Sequence, residues 1–471
     1  MDEIRNYFGE NVALYIAFTS YYTKFLVPMA ILGILHYCLD RFLRFDFIYN
    51  NVIFACINLV SVTFFLELWK RKSSTYSFRF GTLGKLRHKR PRPAFRGIYG
   101  LNPITGKDEV QYPISETMKT LFFKSVPMTT LCLIIAFILM ILSFESEKWL
   151  TLSLTDPDTG LLQDDVFSQM LMYCPSIIYS VLVMLMNLKY LQLAHGLTEE
   201  ENHRTQEQFE RHVVAKLVAF EFCNTFLSLF YIAFYIQDIN MLKSQLFTML
   251  IVTQLVNQLQ ETILPYLLKR PSPRRMMNKI AKKIHLDGKN SLKYCNHRKL
   301  ECVECLPEND NEIHHAMFSL RKDPYESTYD DFMELWLQFG HVFLFSSVYP
   351  LAAFFALINN FVELKMDAFK MCKVMRKPTP RGVRDIGAWY MAFSITSVIS
   401  VMTNLTLLAM DKDVQAFAPQ ASSRDWVLLF VLFEHLFLLI RVIIETSISD
   451  MPKKVKNEVD RNEFRLKNIM K

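Results

Sequence analysis

The sequence predicts an all-α, polytopic integral membrane protein with ten transmembrane helices and both termini in the cytosol. Three observations carry that expectation. Hydrophobic residues make up 51% and aromatic residues 14% of the 471, with 39 Phe against only 13 Gly. Apolar runs of about 20 residues, enough to cross a bilayer as a helix, recur along the chain. The lysines and arginines behind a net charge of +7 gather in alternate loops, as the positive-inside rule requires. A basic balance also raises nucleic acid as a partner. Because the charges lie between spans, a membrane surface on the cytosolic side explains them better, and no nucleic acid is expected.

The spans follow in order. Asp2, Glu3, Arg5 and Glu10 surround the first segment, and no small-residue cleavage site follows, so no signal peptide is expected. The opening IRNYFGENVALYIAFTSYYTKF reads as an amphipathic stretch along the interface, with the first span at 22–39. The second, 51–69, ends in LELWKRK, a tryptophan and basic cluster suited to the cytosolic face. The loop 70–118 is basic and punctuated by Pro and Gly, hence cytosolic. Span three is 119–144, followed by the acidic loop ESEKWLTLSLTDPDTGLLQDDV, and span four is 167–193. Spans five and six are 213–236 and 242–268, followed by a second basic loop, 269–328. Spans seven and eight form a hairpin of two helices about 20 residues each, broken at Pro350. Spans nine and ten are 386–410 and 426–448, and 451–471 is a basic cytosolic tail.

The hairpin carries the chemistry. In DDFMELWLQFGHVFLFSSVYPLAAFFALINNFVELKMDAFK, Asp331 and Glu334 lie three apart and Glu363 and Asp367 four apart, so each pair shares a helical face. A hairpin puts both pairs on the same side of the membrane. A carboxylate at mid-bilayer costs roughly 3 kcal/mol, so such a group calls for a cation. Span six adds Asn257 and Glu261, also four apart, with Glu261 about 12 Å inside the membrane at 1.5 Å per residue. With Asn359, the set is all oxygen and carries surplus negative charge. That suits a hard divalent cation, and calcium better than magnesium. The competing interpretation is that each acid caps a span end, against water or a lysine such as Lys365.

The segments DDFMELWLQFGHVFLFSSVYPLAAFFALINNFVELKMDAFK, NQLQETILPY, LELWKRKSSTYSFRFGT, LTEEENHRT, RDIGAWY and ISDMPKK resemble the anoctamin family over nearly the whole chain, in wording closest to the anoctamin-10-type branch. The resemblance implies a homodimer of ten-span subunits, intramembrane calcium on spans six to eight, and passive movement of chloride, phospholipid or both. It places the calcium ligands on Asn257, Glu261, Asp331, Glu334, Glu363 and Asp367, with Asn359 beside them. Asp331 is shorter than the glutamate many relatives carry there. A second calcium site between spans two and ten would fall on Glu67 and Asp450, where interfacial capping charges are the alternative. The family's N-terminal cytosolic domain is expected to be absent. Channel members hinge span six at a glycine, and none stands between Lys243 and Pro265, so hinging is expected near Pro265 or not at all.

Other residues invite weaker expectations. Cys295, His297, Cys302 and Cys305 lie within eleven residues and have the makings of a tetrahedral zinc site; unstructured cytosolic thiols are the alternative. Glu221, Glu434 and His435 are polar groups within apolar runs, suited to a conduction path, a dimer seam or helix-to-helix hydrogen bonds. Ser176, Tyr179, Ser180 and Asn187 on span four suit a groove wetted by headgroups, facing span five. The sequon at Asn404 lies inside span nine, where glycosylation is not expected. No P-loop, Gly-rich nucleotide motif or nucleophile elbow is present, and no enzyme is expected. The function expected is a calcium-regulated passive transporter of chloride or phospholipid, with a non-transporting tether as the alternative. An internal membrane such as the endoplasmic reticulum is the expected location, and the plasma membrane the alternative.

Overall fold

The computed structural model describes residues 1–39, 47–83, 91–101, 106, 108–154, 174–263, 322, 325, 327–415 and 422–469. Among the described residues, a short helix at Asp2–Phe8 is followed by ten helices that overlap the expected spans: α1 (Glu10–Cys38), α2 (Phe47–Arg79), α3 (Ile114–Leu154), α4 (Cys174–Glu200), α5 (Gln206–Ile236), α6 (Ile239–Gln258), α7 (Tyr329–Phe343), α8 (Ala352–Phe369), α9 (Ala388–Met410) and α10 (Ser423–Ser447). A last amphipathic helix, α11 (Lys453–Ile469), follows. Among the described residues, seven of these helices are long and apolar enough to cross a membrane: α1, α2, α3, α5, α6, α9 and α10. Of the hairpin helices, α7 has only 15 residues, and α8 carries Glu363, Lys365 and Asp367 within its 18. Asp331, Glu363 and Asp367 therefore stand on the two shortest of these ten helices.

Two expectations are corrected. The part of the opening segment from Glu10 onward is not separate from the first span. Helix α1 runs unbroken from Glu10, and its first turns bury Ala13, Tyr15, Phe18 and Tyr22. Aromatics at this spacing suit an interface or a core equally well, and here the core takes them. The Phe18 ring meets Trp69 of α2 and Phe393 of α9, each at 5.0 Å, and Phe332 of α7 at 5.9 Å.

The hairpin helices are also shorter than the expected 20 residues, because α7 stops well before Pro350. Asn404 of α9, fully buried, supplies the stop. Its amide donates to the Phe343 and Leu344 carbonyls at 2.8 and 3.1 Å. Its side-chain oxygen accepts from the Ser347 backbone at 2.9 Å and the Ser346 hydroxyl at 3.1 Å. One side chain thus satisfies carbonyls that a helix end leaves without partners.

Two close approaches lock the hairpin in place. A Cβ on Gly33 of α1 would lie 2.2 Å from the Pro350 carbonyl oxygen, and one on Gly340 of α7 would lie 2.1 Å from the Phe226 ring of α5. On the other side, a two-stranded hairpin, Ile98–Leu101 with Asp108–Gln111, lies in the loop between α2 and α3. Asn202, in the turn between α4 and α5, holds the chain next to this hairpin. Its side chain accepts from the Arg96 backbone at 3.0 Å and donates to the Arg96 carbonyl at 2.6 Å.

Candidate metal centre

Asp331 on α7 and Asp367 on α8 are both buried, as are Glu363 and Asn359. Their i, i+4 spacing turns Asn359, Glu363 and Asp367 to one face of α8, and α7 packs against that helix. Lys370, in the π turn Lys370–Val374 that closes α8, reaches back to place its ammonium 2.9 Å from Asp331 Oδ1. The Tyr325 hydroxyl donates to the other Asp331 oxygen. The Tyr15 hydroxyl of α1 donates to Asp367 Oδ2 at 2.5 Å. Asp331 and Glu363 both act electrostatically on Asp367, which places the three carboxylates in one neighbourhood.

Helix α6 joins through amides. The Asn359 amide donates to Glu363 Oε2 at 3.1 Å and to Gln254 Oε1 of α6 at 3.2 Å. Gln254 and Gln258 are buried on α6, and Asn257 is half-buried between them. A π turn, Thr248–Thr253, precedes this segment and another, Leu259–Ile263, follows it. Glu261 lies on the second turn, which packs against α8; its side chain lies outside the described residues, as does Pro265. Glu334 is half-buried one turn beyond Asp331. Spans seven and eight thus come together as expected, with α6 alongside. Lys365, the lysine considered as a capping partner, is exposed instead.

The second pair also meets. Lys70 lies 2.8 Å from Asp450 and 3.8 Å from Glu67, and the Tyr390 hydroxyl donates to Glu67 at 2.9 Å. A shared ammonium already stands between these two carboxylates, so capping and cation binding start from the same geometry. The loop with Cys295, His297, Cys302 and Cys305 lies outside the described residues. Of the polar set on α4, Asn187 accepts from Asn224 of α5 at 2.7 Å, the facing expected. On α10, His435 is exposed, with Nδ1 2.8 Å from the Val431 carbonyl of its own helix.

Sequence reasoning missed three of the side chains that build the centre. Lys370 falls seven residues after Glu363 and three after Asp367, on the same helical face, a signal that was legible. Tyr15 and Tyr325 carried no such signal. Arg441 was missed too: it crosses from α10 to donate to the Ser394 hydroxyl at 2.7 Å and to Ser397.

The residues present fit a hard cation. Asp331, Glu363 and Asp367 with Lys370 sum to a charge of −2 in a buried site. The buried Asn360 amide, one residue from Asn359, has no hydrogen-bond partner for its nitrogen or oxygen. Every donor atom is oxygen, as calcium prefers.

Among the described residues, seven helices long and apolar enough to cross a membrane, with a buried carboxylate cluster on α7 and α8, define a polytopic helical membrane protein with a metal-binding candidate. A family model described as "Anoctamin: Calcium-activated chloride channel" matches residues 4–462, and the chain belongs to the anoctamin family. It is 39% identical to Anoctamin-10 of Mus musculus over 467 residues, covering 98% of this chain and 66% of that protein. Human Anoctamin-10 is 38% identical over 469 residues, with 98% and 66% covered. Anoctamin-8 of Mus musculus is 25% identical over 660 residues, covering all of this chain and 61% of that protein. The chain thus spans just under two thirds of the length of these relatives.

Proposed function

We propose that the protein is a calcium-regulated passive membrane transporter whose cargo is chloride, phospholipid or both. The observation that carries this reading is the buried cluster of Asp331, Glu363, Asp367 and Asn359, joined to α6 through Gln254. The family model's description supports the calcium and chloride parts. Asp331, Glu334, Glu363 and Asp367 would hold the ion, with amide oxygens from Asn257 and Asn359 and a contribution from Glu261. A bound calcium supplies a divalent charge that offsets carboxylate repulsion. This chain's residues do the rest. Tyr15 and Tyr325 orient carboxylates from outside the hairpin, Lys370 holds Asp331, and Asn359 ties α8 to α6.

Coupling to transport would run through α6, whose two π turns bracket Gln254–Gln258. π turns inside α-helices are often found at functional sites. A homodimer in an internal membrane belongs to the same reading. It has support in α10, where the most apolar stretch is only 6% buried within one chain.

The test is purified protein in vesicles, with and without calcium, assayed for chloride flux and for lipid flip. A calcium-dependent rise in either activity supports the reading. If neither responds, the protein is a tether that keeps the fold.

A further inference from the structure

At the polar turn between α4 and α5, away from the acidic centre, a second cluster forms around Glu201. This side chain is 0% exposed, and its two oxygens face different neighbours. Oε1 pairs with the buried Lys216 ammonium at 2.7 Å, and Lys216 also donates to Thr198 at 3.0 Å. Oε2 faces two imidazoles, His203 Nε2 at 2.7 Å and His212 Nδ1 at 3.4 Å. The three donor atoms of Glu201, His203 and His212 lie within 4.8 Å of one another. The two rings stack with centroids 4.0 Å apart.

The Glu201–Lys216 pair alone would settle the carboxylate's charge. It does not explain why two imidazole nitrogens converge on the remaining oxygen. The turn is built to bring them there. Thr205 caps α5 in a capping box with Gln208, fixing where His212 falls, and Asn202, at φ 54, turns the chain between Glu201 and His203. Lys216 keeps the carboxylate ionised, the form a metal needs.

We propose that Glu201, His203 and His212 form a zinc site on the cytosolic side of the protein. Two imidazole nitrogens and one carboxylate oxygen suit a borderline cation such as zinc rather than calcium, which prefers oxygen alone. His212 is 34% exposed on its side chain, so the fourth position opens to water. That exposure also gives its ring room to turn out of the stack and aim Nδ1 at the ion. The Lys216 charge repels a cation, which places the affinity below that of the same ligands without an ammonium.

The test uses the full chain with Cys295, Cys302 and Cys305 replaced by Ser, so that loop thiols cannot bind metal. The protein is stripped with a chelator, and zinc is titrated by calorimetry. Cobalt then replaces zinc and is read in the visible spectrum. The expected result is one zinc per chain, retained in excess calcium, with four-coordinate cobalt bands. His203→Asn and His212→Asn should each weaken zinc binding on the order of 100-fold, at the upper end of what even a supporting group costs. The metal-free melting temperature should stay close to the parent's. Should His203→Asn fail to fold, the more exposed His212→Asn reads the same ligand set. No stoichiometric zinc, zinc displaced by calcium, or zinc retained in both variants overturns the proposal.

Discussion

Lys370 holds Asp331 across the α7–α8 seam, its ammonium 2.9 Å from Oδ1, with both side chains buried. In the proposed function the same carboxylate would hold a metal ion, so the lysine would compete with the ion for it. Lys370→Gln is expected to tighten calcium binding several-fold. It should also lower calcium-free stability, by up to the roughly 3–5 kcal/mol that breaking a buried pair costs. Melting curves with and without calcium check both effects, and a calcium-induced Tm shift no larger than wild type's rules out the competition.

Tyr15 donates to Asp367 from the far end of the chain. Tyr15→Phe leaves a buried carboxylate short of a donor, at a cost of about 1–3 kcal/mol. Saturating calcium is expected to restore part of that loss, because the ion satisfies the same oxygen. Thermal unfolding at several calcium concentrations measures it. Equal losses with and without calcium would mean that Tyr15 serves packing alone.

Neutralising Glu334 together with Glu363, as Glu334→Gln and Glu363→Gln, removes two of the acidic donors. Calcium affinity by calorimetry is expected to fall by at least about 100-fold, more than loss of supporting groups costs. Affinity unchanged from wild type would remove this centre from the mechanism.

Gly340→Ala puts a methyl 2.1 Å from the Phe226 ring. The ring is fully buried and must move, so a loss of about 1–3 kcal/mol is expected from overpacking. The double variant Gly340→Ala with Phe226→Leu should recover part of the lost Tm; no recovery would place the strain elsewhere.

Lys216→Met leaves Glu201 buried without its ammonium and is expected to cost about 3–5 kcal/mol. Burial alone would raise the Glu201 carboxyl, but the His203 contact and the Lys216 ammonium pull it down to about 2 from 4.5. A depressed folded value stabilises above the unfolded one, so this contribution is full above about pH 4.5. It is lost as pH falls through about 2. Acid unfolding followed by circular dichroism should therefore begin at higher pH in Lys216→Met than in wild type.

The ten-helix pattern was legible because apolar length and loop charge are local properties of a chain. The shared face of Asn359, Glu363 and Asp367 was legible for the same reason, since helical period alone puts them in register, and the hairpin brings Asp331 to the same side. What escaped was contact at long range. Tyr15 is 352 residues from Asp367, and nothing in either segment names the other. Helix α7 ends early because Asn404, on another span, takes its last carbonyls. Lys370 was visible at the right spacing, as the last residue of the hairpin stretch, yet it was given no role there. The Glu201 cluster was quoted only as wording, because LTEEENHRT shows its chemistry once the turn at Asn202 folds it.

The hydroxyl of Tyr15 makes the first long helix a structural arm of the metal centre. In the proposed calcium-binding function, a shift of α1 along its axis would move the Tyr15 donor and change the Asp367 carboxylate that would hold the ion.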